Sequence, residues 1–114
     1  MNTILALAAL LSLAGSEWGP PGGGDQYIQF RDGRVAGHSG CNRYTGSFTQ
    51  DGESLKLGTL ASTKMACTPE RMEQERAWFA MLEKVRGFEA THLVLKLKAA
   101  DGDVIATLQR RDFD

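Results

Sequence analysis

The stretch GHSGCNRYTGSF, from Gly37 to Phe48, decides the predicted fold, because it turns the chain between two strands and carries a cysteine. Its glycines allow close approach of neighbouring chain segments, and asparagine tolerates left-handed backbone and hydrogen-bonds its own backbone in turns. We therefore predict a turn followed by a strand. The structural turn and loop residues of this prediction are Gly37, Gly40, Asn42, Arg43 and Gly46. The alternative is that Asn42 and Arg43 form a polar binding site.

Strand-like segments joined by tight turns lie on both sides of this stretch. Asp-Gly pairs at 32–33, 51–52 and 101–102 are typical of two-residue hairpin turns. Because sequential strands usually pair with their neighbours, the sequence predicts a largely antiparallel meander. Its segments are residues 27–30, 35–39, 44–50, 54–58, 60–67, 92–98 and 103–109. By their alternation, Leu93, Leu95 and Leu97 are predicted to point inward. Leu55 shares one strand face with Leu57, and Val104 shares one with Ala106 and Leu108, opposite Ile105 and Thr107.

The segment from Thr68 to Gly87 changes to helical periodicity. Thr68 is a favourable N-cap, Pro69 suits the first helical position, and Gly87 is predicted to end the helix. Apolar residues recur on one face of this helix, and that face needs a partner, which the strands supply. The face comprises Met72, Phe79, Leu82 and Val85, and it is widened by Trp78 and Met81. Glu75 is predicted to tie the helix to a loop.

The two cysteines, Cys41 and Cys67, and the two histidines, His38 and His92, are the first candidates for metal or nucleophile chemistry. Four ligands at structural-zinc spacing are absent, so we predict no metal site. A Cys/His hydrolase pair built on Cys41 is the alternative, but the sequence identifies no residue to orient it. A disulfide between Cys41 and Cys67 is the preferred interpretation if the compartment is oxidising.

Length and charge restrict the class of protein. A chain of 114 residues predicts one domain. Its formal net charge of −1 gives no electrostatic footprint for nucleic acid. No glycine-rich phosphate loop precedes a helix, and no acid–base pair of carboxylates is visible. We therefore predict no catalytic residues and no cofactor, and we interpret the Arg-Arg-Asp run at 110–112 as a solvated strand end.

The first residues suggest an exported protein. Residues 4–14 are apolar apart from Ser12, which is too short for a transmembrane helix and fits the apolar core of a secretory signal. No Lys or Arg precedes this run, so an N-terminal helix of the domain, in a cytoplasmic protein, is the alternative. Ser16 stands where a lipoprotein box would need cysteine, which gives no support for lipid attachment. The predicted organisation is a leader or helix over residues 1–12 and one domain over residues 13–114.

Five segments occur together in one order: LAGSEW, GRVAGHSGCNRYTGSF, LASTKMAC, QERAWFAMLEKV and RRDFD. Together they resemble the META/HslJ family of small bacterial domains over nearly the whole chain. The resemblance implies an α+β fold in which a curved, mostly antiparallel β-sheet, a partial barrel, packs around one main α-helix. It implies a disulfide between Cys41 and Cys67, an exported location in the periplasm or at the outer membrane, and a loose link to heat shock. It carries over no catalytic residues.

We expect a non-enzymatic, monomeric envelope domain that binds or scaffolds other envelope components under stress. The expected partner is an envelope protein or a lipid, with no nucleic acid, metal or cofactor. One alternative is a carrier of a small hydrophobic ligand between sheet and helix, in a groove lined by Trp78, Phe79, Met81 and Leu82. The other alternative is a thiol-dependent enzyme that uses Cys41.

Overall fold

The computed structural model describes residues 12–112, which form nine strands and one helix in an α+β arrangement. The leader or helix predicted for residues 1–12 lies outside the described residues, apart from Ser12. The strands are β1 (Ser16–Gly19), β2 (Tyr27–Arg31), β3 (Arg34–His38), β4 (Arg43–Asp51), β5 (Ser54–Leu57), β6 (Ala61–Ser62), β7 (Gly87–Ala90), β8 (Val94–Lys98) and β9 (Val104–Arg110). The helix, α1 (Pro69–Glu83), lies between β6 and β7.

The strands form one antiparallel sheet that curves into a ring. Its order is β3-β2-β1-β9-β8-β7-β5-β4-β6, and an additional pairing of β3 with β4 closes eight of the strands on themselves. The strand pairing in the ring is shortest between β5 and β7, where Ser54 and Gly87 are the one registered pair. The predicted fold class, a curved antiparallel sheet packed with one main helix, is therefore confirmed.

The predicted turns and the helix start are present. The glycines of the three Asp-Gly pairs have positive φ angles of 68° at Gly33, 61° at Gly52 and 91° at Gly102, a backbone conformation that glycine adopts without strain. The first two pairs lie in tight turns, and the third lies in a wider turn in which the N–H of Ala99 donates to the carbonyl oxygen of Asp103. Thr68 caps α1, because its side-chain oxygen accepts a hydrogen bond from the backbone N–H of Arg71 at 3.3 Å. Local sequence chemistry thus sets both kinds of boundary.

The sheet and the helix share one apolar core. The rings of Phe30 and Phe48 meet edge to face with centroids 5.1 Å apart, and α1 contributes Trp78 and Leu82. Burying an apolar side chain of this size stabilises the fold by about 1.5–3 kcal/mol. The buried cluster comprises Leu13, Trp18, Ile28, Phe30, Val35, Tyr44, Phe48, Leu55, Trp78, Leu82, Val85, Phe88, Leu95, Leu97 and Leu108.

The helix ends four residues before the predicted glycine. Its last residue is Glu83, with Lys84 as C-cap, and Gly87 instead begins β7, a strand that the sequence did not predict. The reason is that the sheet captures the chain at Arg86. The N–H of Arg86 donates to the carbonyl oxygen of Lys98 at 2.8 Å, and its carbonyl oxygen accepts from the N–H of Leu55 at 3.0 Å.

The inward direction predicted for Leu93 is wrong, because Leu93 is 54% exposed. Val104, on the face predicted to include Leu108, is 48% exposed, whereas Leu108 is buried. Leu93 lies in a turn before β8, because its N–H and that of Val94 both donate to the hydroxyl of Thr91. A register irregularity beside Leu97 and Lys98 shifts the pairing of β8 with β9, so Val104 pairs with Lys98 and leaves the face that Leu108 occupies. Of the segment at 60–67, Ala61–Ser62 is the part that pairs as a strand.

Both ends of the described chain meet at β1, which the sequence analysis did not assign as a strand. Trp18 of β1 is buried, and its Nε1 donates to Ser16 Oγ at 2.7 Å. Arg110 lies over the Trp18 ring at 5.5 Å and forms an ion pair with Asp112, which lowers the pKa of that carboxyl through their hydrogen bond. Arg111 lies 3.4 Å from Glu17. Residues 110–112 therefore make more contacts than a solvated strand end would.

The phenol of Tyr44 joins β4 to β2 across β3. Tyr44 is paired with Gly37, and its hydroxyl donates to the carbonyl oxygen of Tyr27 at 2.7 Å and accepts from Nε1 of Trp78 at 3.0 Å. A Cβ atom at position 37 would lie 2.5 Å from that hydroxyl. Burial raises the pKa of Tyr44 far above its ordinary value, so the hydroxyl stays a donor.

Gly37→Ala is expected to lower the free energy of unfolding by about 1–3 kcal/mol, because the new methyl group collides with the carbonyl oxygen of Tyr27 and with the Tyr44 hydroxyl that bonds to it. Urea denaturation followed by circular dichroism measures this loss. The control is Gly33→Asn, at a turn position with open space and a φ angle that asparagine tolerates. Equal urea midpoints for Gly37→Ala and the unmodified protein would contradict the close approach of Tyr27 and the Tyr44 phenol to position 37.

Candidate functional site

The loop between β3 and β4, residues 39–42, is a buried turn that its own side chains hold. The N–H of Ser39 donates to the carbonyl oxygen of Asn42 at 2.9 Å. The Ser39 hydroxyl accepts from the N–H groups of Cys41 at 3.1 Å and Asn42 at 2.9 Å. Gly40 supplies the positive φ, of 105°, that the turn needs. Ser39 is 0% exposed and Asn42 is 2% exposed, so this polar turn belongs to the interior.

The side chain of Asn42 joins this loop to the chain segment that follows β6. Its Oδ1 accepts from the hydroxyl of Thr63 and from the N–H of Met65, both at 2.8 Å. Its Nδ2 donates to the carbonyl oxygen of Met65 at 3.2 Å. The Asn42 carboxamide therefore pairs with both the N–H and the C=O of Met65, as a neighbouring strand would. The Met65 residue itself is 60% exposed, so its backbone and not its side chain is held by the loop.

Glu75 ties α1 to the same loop. Its Oε1 accepts from the hydroxyl of Ser39 at 2.6 Å and from Nδ2 of Asn42 at 3.0 Å. Hydrogen bonds to a charged acceptor are about twice as strong as those between neutral groups. A second link runs from Arg71 of α1, which donates to the carbonyl oxygen of Gly40 at 3.1 Å and forms an ion pair with Asp25.

A disulfide joins Cys41 to Cys67, the residue before the helix N-cap. Its Cα atoms are 6.0 Å apart, and Cys41 Sγ also lies 3.7 Å from Sδ of Met72 on α1. Residues 63–67, which have no regular secondary structure, are therefore fixed at one end by the Asn42 carboxamide and at the other by the disulfide. Disulfides form and persist in oxidising compartments.

The remaining predicted loop residues have separate places. Arg43 is exposed and opens β4, where its N–H donates to the hydroxyl of Thr63 and its carbonyl oxygen accepts from the N–H of Thr63. Gly46 is buried beneath Leu60: a Cβ there would lie 2.6 Å from that side chain. Gly46 thus lets the wall formed by residues 56–64 lie close to β4.

A groove of about 550 Å³ runs between this wall and α1. Its apolar lining residues are Leu57, Leu60, Phe79 and Leu82, and its charged lining residues are Lys56, Lys64, Glu75, Glu83 and Arg86. The loop described above fixes both sides of the groove, because Glu75 belongs to the helix and Thr63 belongs to the wall. A preformed, partly apolar cleft with a few polar groups is the usual form of a ligand site.

The four residues predicted to line a hydrophobic groove divide into two pairs. Phe79 and Leu82 line the groove between α1 and the wall. Trp78 is 5% exposed and is buried in the core, where it hydrogen-bonds to Tyr44, and Met81 packs half-buried against the same core. Neither Trp78 nor Met81 is among the lining residues of this groove.

Sequence reasoning missed Ser39 and the groove wall. A serine before a glycine in a turn can hydrogen-bond nearby backbone groups, which is a signal that could have identified Ser39. No local signal points to Lys56 and Arg86 as neighbours, since about thirty residues separate them and the pairing of β5 with β7 brings them together.

Within residues 12–112, no group of three or more His, Cys, Asp or Glu side chains is placed to hold a metal ion. Both cysteines are in the disulfide, so Cys41 carries no thiol in this state. His38 accepts, through Nδ1, the N–H of Gly40 at 3.0 Å and so supports the loop. In the same range, no helix has the length and apolar character to cross a membrane.

Asn42→Asp is expected to cost about 3–5 kcal/mol of unfolding free energy at pH 7, because it places a buried carboxylate beside Glu75. Burial and Glu75 raise the pKa of the new carboxyl in the folded state above its unfolded value. The folded state then binds more protons, so part of the loss is regained as the pH falls. Chemical denaturation between pH 4 and pH 8 measures the effect.

Glu75→Gln provides the partner for a double-mutant cycle. A neutral amide at this position can still accept from Ser39 and can donate to the new carboxylate, so the double variant should lose less stability than Asn42→Asp alone. Losses that add, or a loss that does not depend on pH, would contradict direct contact between the two side chains.

The double variant Cys41→Ala/Cys67→Ala is expected to lose roughly 3.5 kcal/mol of unfolding free energy, because the disulfide closes a loop across a sequence separation of 26. Reductant should lower the stability of the unmodified protein to a similar value and leave the variant unchanged. Equal thermal midpoints for the two proteins without reductant would show that the disulfide does not stabilise the fold.

Two solved structures share this fold. The NMR structure of a protein from Burkholderia xenovorans matches with a TM-score of 0.71 and 24% identity, covering 89% of this chain and 85% of that one. A second NMR structure matches with a TM-score of 0.61 and 22% identity, covering 87% of this chain and 90% of that one. At these identities the similarity concerns the fold alone. No curated protein matches the chain.

The sequence itself carries the family assignment. Residues 10–112 match the META domain, and that range contains the buried loop, both cysteines, the helix and all nine strands described above. Because the match spans nearly the whole chain, the protein belongs to the META domain family.

Proposed function

We propose that this protein is a non-enzymatic binding domain of the bacterial envelope, and that it holds a protein partner in the groove between α1 and the wall formed by residues 56–64. The observation that carries the proposal is the groove itself, which is lined by both apolar and charged side chains and is bounded by two elements that the loop at 39–42 and the disulfide hold in place. Fixed walls favour affinity, because little conformational entropy is lost on binding.

A binding role agrees with how the polar groups are used. In the loop at 39–42, the side chains of Ser39 and Asn42 hydrogen-bond to other groups of the chain, and Glu75 accepts from both. A nucleophile and base poised for chemistry would instead keep their polar atoms available to a substrate, whereas Glu75, which lines the groove, accepts hydrogen bonds from Ser39 and Asn42. This pattern supports a site of recognition rather than catalysis.

An envelope location agrees with the disulfide and with the apolar start of the sequence. The pair Cys41–Cys67 is stable where the surroundings are oxidising, as in the bacterial periplasm. The apolar residues before Ser12 suit the apolar part of a secretory signal, and the buried core begins after it at Leu13. Both features support export to the periplasm, free or associated with the outer membrane.

A second candidate function is the transport of a small hydrophobic ligand with an acidic head. Leu57, Leu60 and Phe79 give the groove an apolar floor for a chain of methylene groups. Lys56 and Lys64 at its edge could bind a carboxylate.

Photo-crosslinking in living cells tests the proposal. A photoreactive phenylalanine analogue replaces Thr59, an exposed residue of the groove wall, and in a matched control it replaces Thr107, an exposed residue of β9 outside the groove. The proposal predicts a discrete protein adduct from position 59 and not from position 107. That protein, purified, should bind the unmodified domain and lose affinity for Phe79→Glu.

Adducts of equal pattern and yield from both positions would overturn the proposal. Lipid adducts confined to position 59 would instead favour the carrier of a hydrophobic ligand.

A further inference from the structure

We infer that the partner binds as an added β-strand: an extended segment with apolar and acidic residues in alternation pairs with the free outer edge of β5 inside the groove. This inference rests on the proposed function and specifies the mode of binding and the chemistry of the partner. Extended peptides recognise sheet edges in this way, since main-chain hydrogen bonds give affinity and pockets for alternate side chains give specificity.

The outer edge of β5 presents unpaired backbone groups at one residue, Leu57. In the hairpin of β4 and β5, Ser54 and Asp51 form the hydrogen-bonded pair next to the turn. Hydrogen-bonded pairs alternate along an antiparallel ladder, so the backbone of Lys56 also bonds to β4, whereas Leu55 and Leu57 direct their N–H and C=O groups away from β4. The N–H of Leu55 is used there, by the carbonyl oxygen of Arg86. For the N–H and C=O of Leu57, no partner is present among residues 12–112.

The edge is free because β7 leaves it. The registered pairing of β5 with β7 is the single pair Ser54–Gly87, and the chain before Arg86 turns away into the end of α1. The space beside Leu57 is therefore bounded by the side chains of the helix, not by another strand, and this space is the groove. An added strand would continue the row that β7 begins.

The two faces of such a strand would meet different surroundings. Leu55 and Leu57 lie on one face of β5, and this is the inner face, because Leu55 is 1% exposed. Side chains on the inner face of an added strand would therefore meet the apolar lining at Phe79 and Leu82. Lys56 lies on the opposite, solvent face. Alternate residues of the partner would therefore be apolar inward and acidic outward, beside the lysine.

The charges of the groove favour an acidic partner. Three cations line it, Lys56, Lys64 and Arg86, and within residues 12–112 none of them forms an ion pair. The lining has two carboxylates, and that of Glu75 already accepts from the buried loop. The guanidinium of Arg86 donates to the carbonyl oxygens of Glu83 and Val85 and keeps its positive charge at the edge.

The test begins with selection of peptides of about ten residues from a random display library on the oxidised protein. The expected sequences alternate apolar and acidic residues. In the complex, the amide resonance of Leu57 should shift and its hydrogen exchange should slow. Methylating the backbone nitrogen of the peptide residue that pairs with Leu57 should weaken binding by about tenfold, and methylating either neighbour, whose N–H points away from β5, should leave binding within about twofold.

Matched charge reversals locate the peptide on the surface. Lys56→Glu should weaken binding about fivefold to tenfold at low salt, less at high salt. Lys96→Glu changes an exposed lysine of β8, outside the groove, and should leave binding unchanged. Thermal unfolding of both variants confirms that the fold is retained.

The results separate this inference from the proposed function. Selected peptides that bind the groove as helices, or with no alternation in the methylation series, would overturn strand addition, and the crosslinks from position 59 would still support a protein partner. Failure to select any peptide, with binding of a fatty acid instead, would overturn both. Peptides that bind away from Leu57 would also overturn strand addition.

Discussion

The buried carboxamide of Asn42 is the contact on which the rest of this molecule depends. It joins three parts of the chain that have no strand pairing to each other: its own turn, Met65 in the segment after β6, and Glu75 on α1. A buried amide is costly unless its polar atoms are bonded, and here both the oxygen and the nitrogen have partners. Replacing Asn42 therefore removes the links among all three parts, and this buried polar group sets the distances between the turn, the segment at Met65 and the helix.

Those distances create the groove. The helix stands off from the wall at 56–64 because Glu75 is held at the loop and Phe79, one turn further along, is left facing the gap. The wall keeps its position because the Asn42 carboxamide and the disulfide hold residues 63–67, which form no strand. Structure and proposed binding surface thus depend on one constraint. The stretch from Gly37 to Phe48 provides it: Gly37 admits the Tyr44 phenol, and Cys41 closes the loop.

Features that depend on local chemistry could be predicted from the sequence. The Asp-Gly turns and the Thr68 cap need only neighbouring residues, and the sequence located both. The end of the helix could not be predicted, because Arg86 is drawn into the sheet by Lys98, twelve residues later. The groove was predicted in part. Phe79 and Leu82 line it, but Trp78 of α1 hydrogen-bonds to Tyr44 of β4 and is buried in the core instead. Periodicity identifies an apolar face but not which part of that face the rest of the chain will cover.

Amide hydrogen exchange at Met65, followed residue by residue by NMR, tests the central claim most directly. Met65 lies in an irregular segment and its side chain is exposed, yet its N–H donates to Asn42 Oδ1. The account predicts slow exchange at Met65 between fast-exchanging neighbours at Lys64 and Ala66, and loss of that protection in Asn42→Ala. Exchange at Met65 as fast as at its neighbours would contradict the role of Asn42 as the fixed point of the groove.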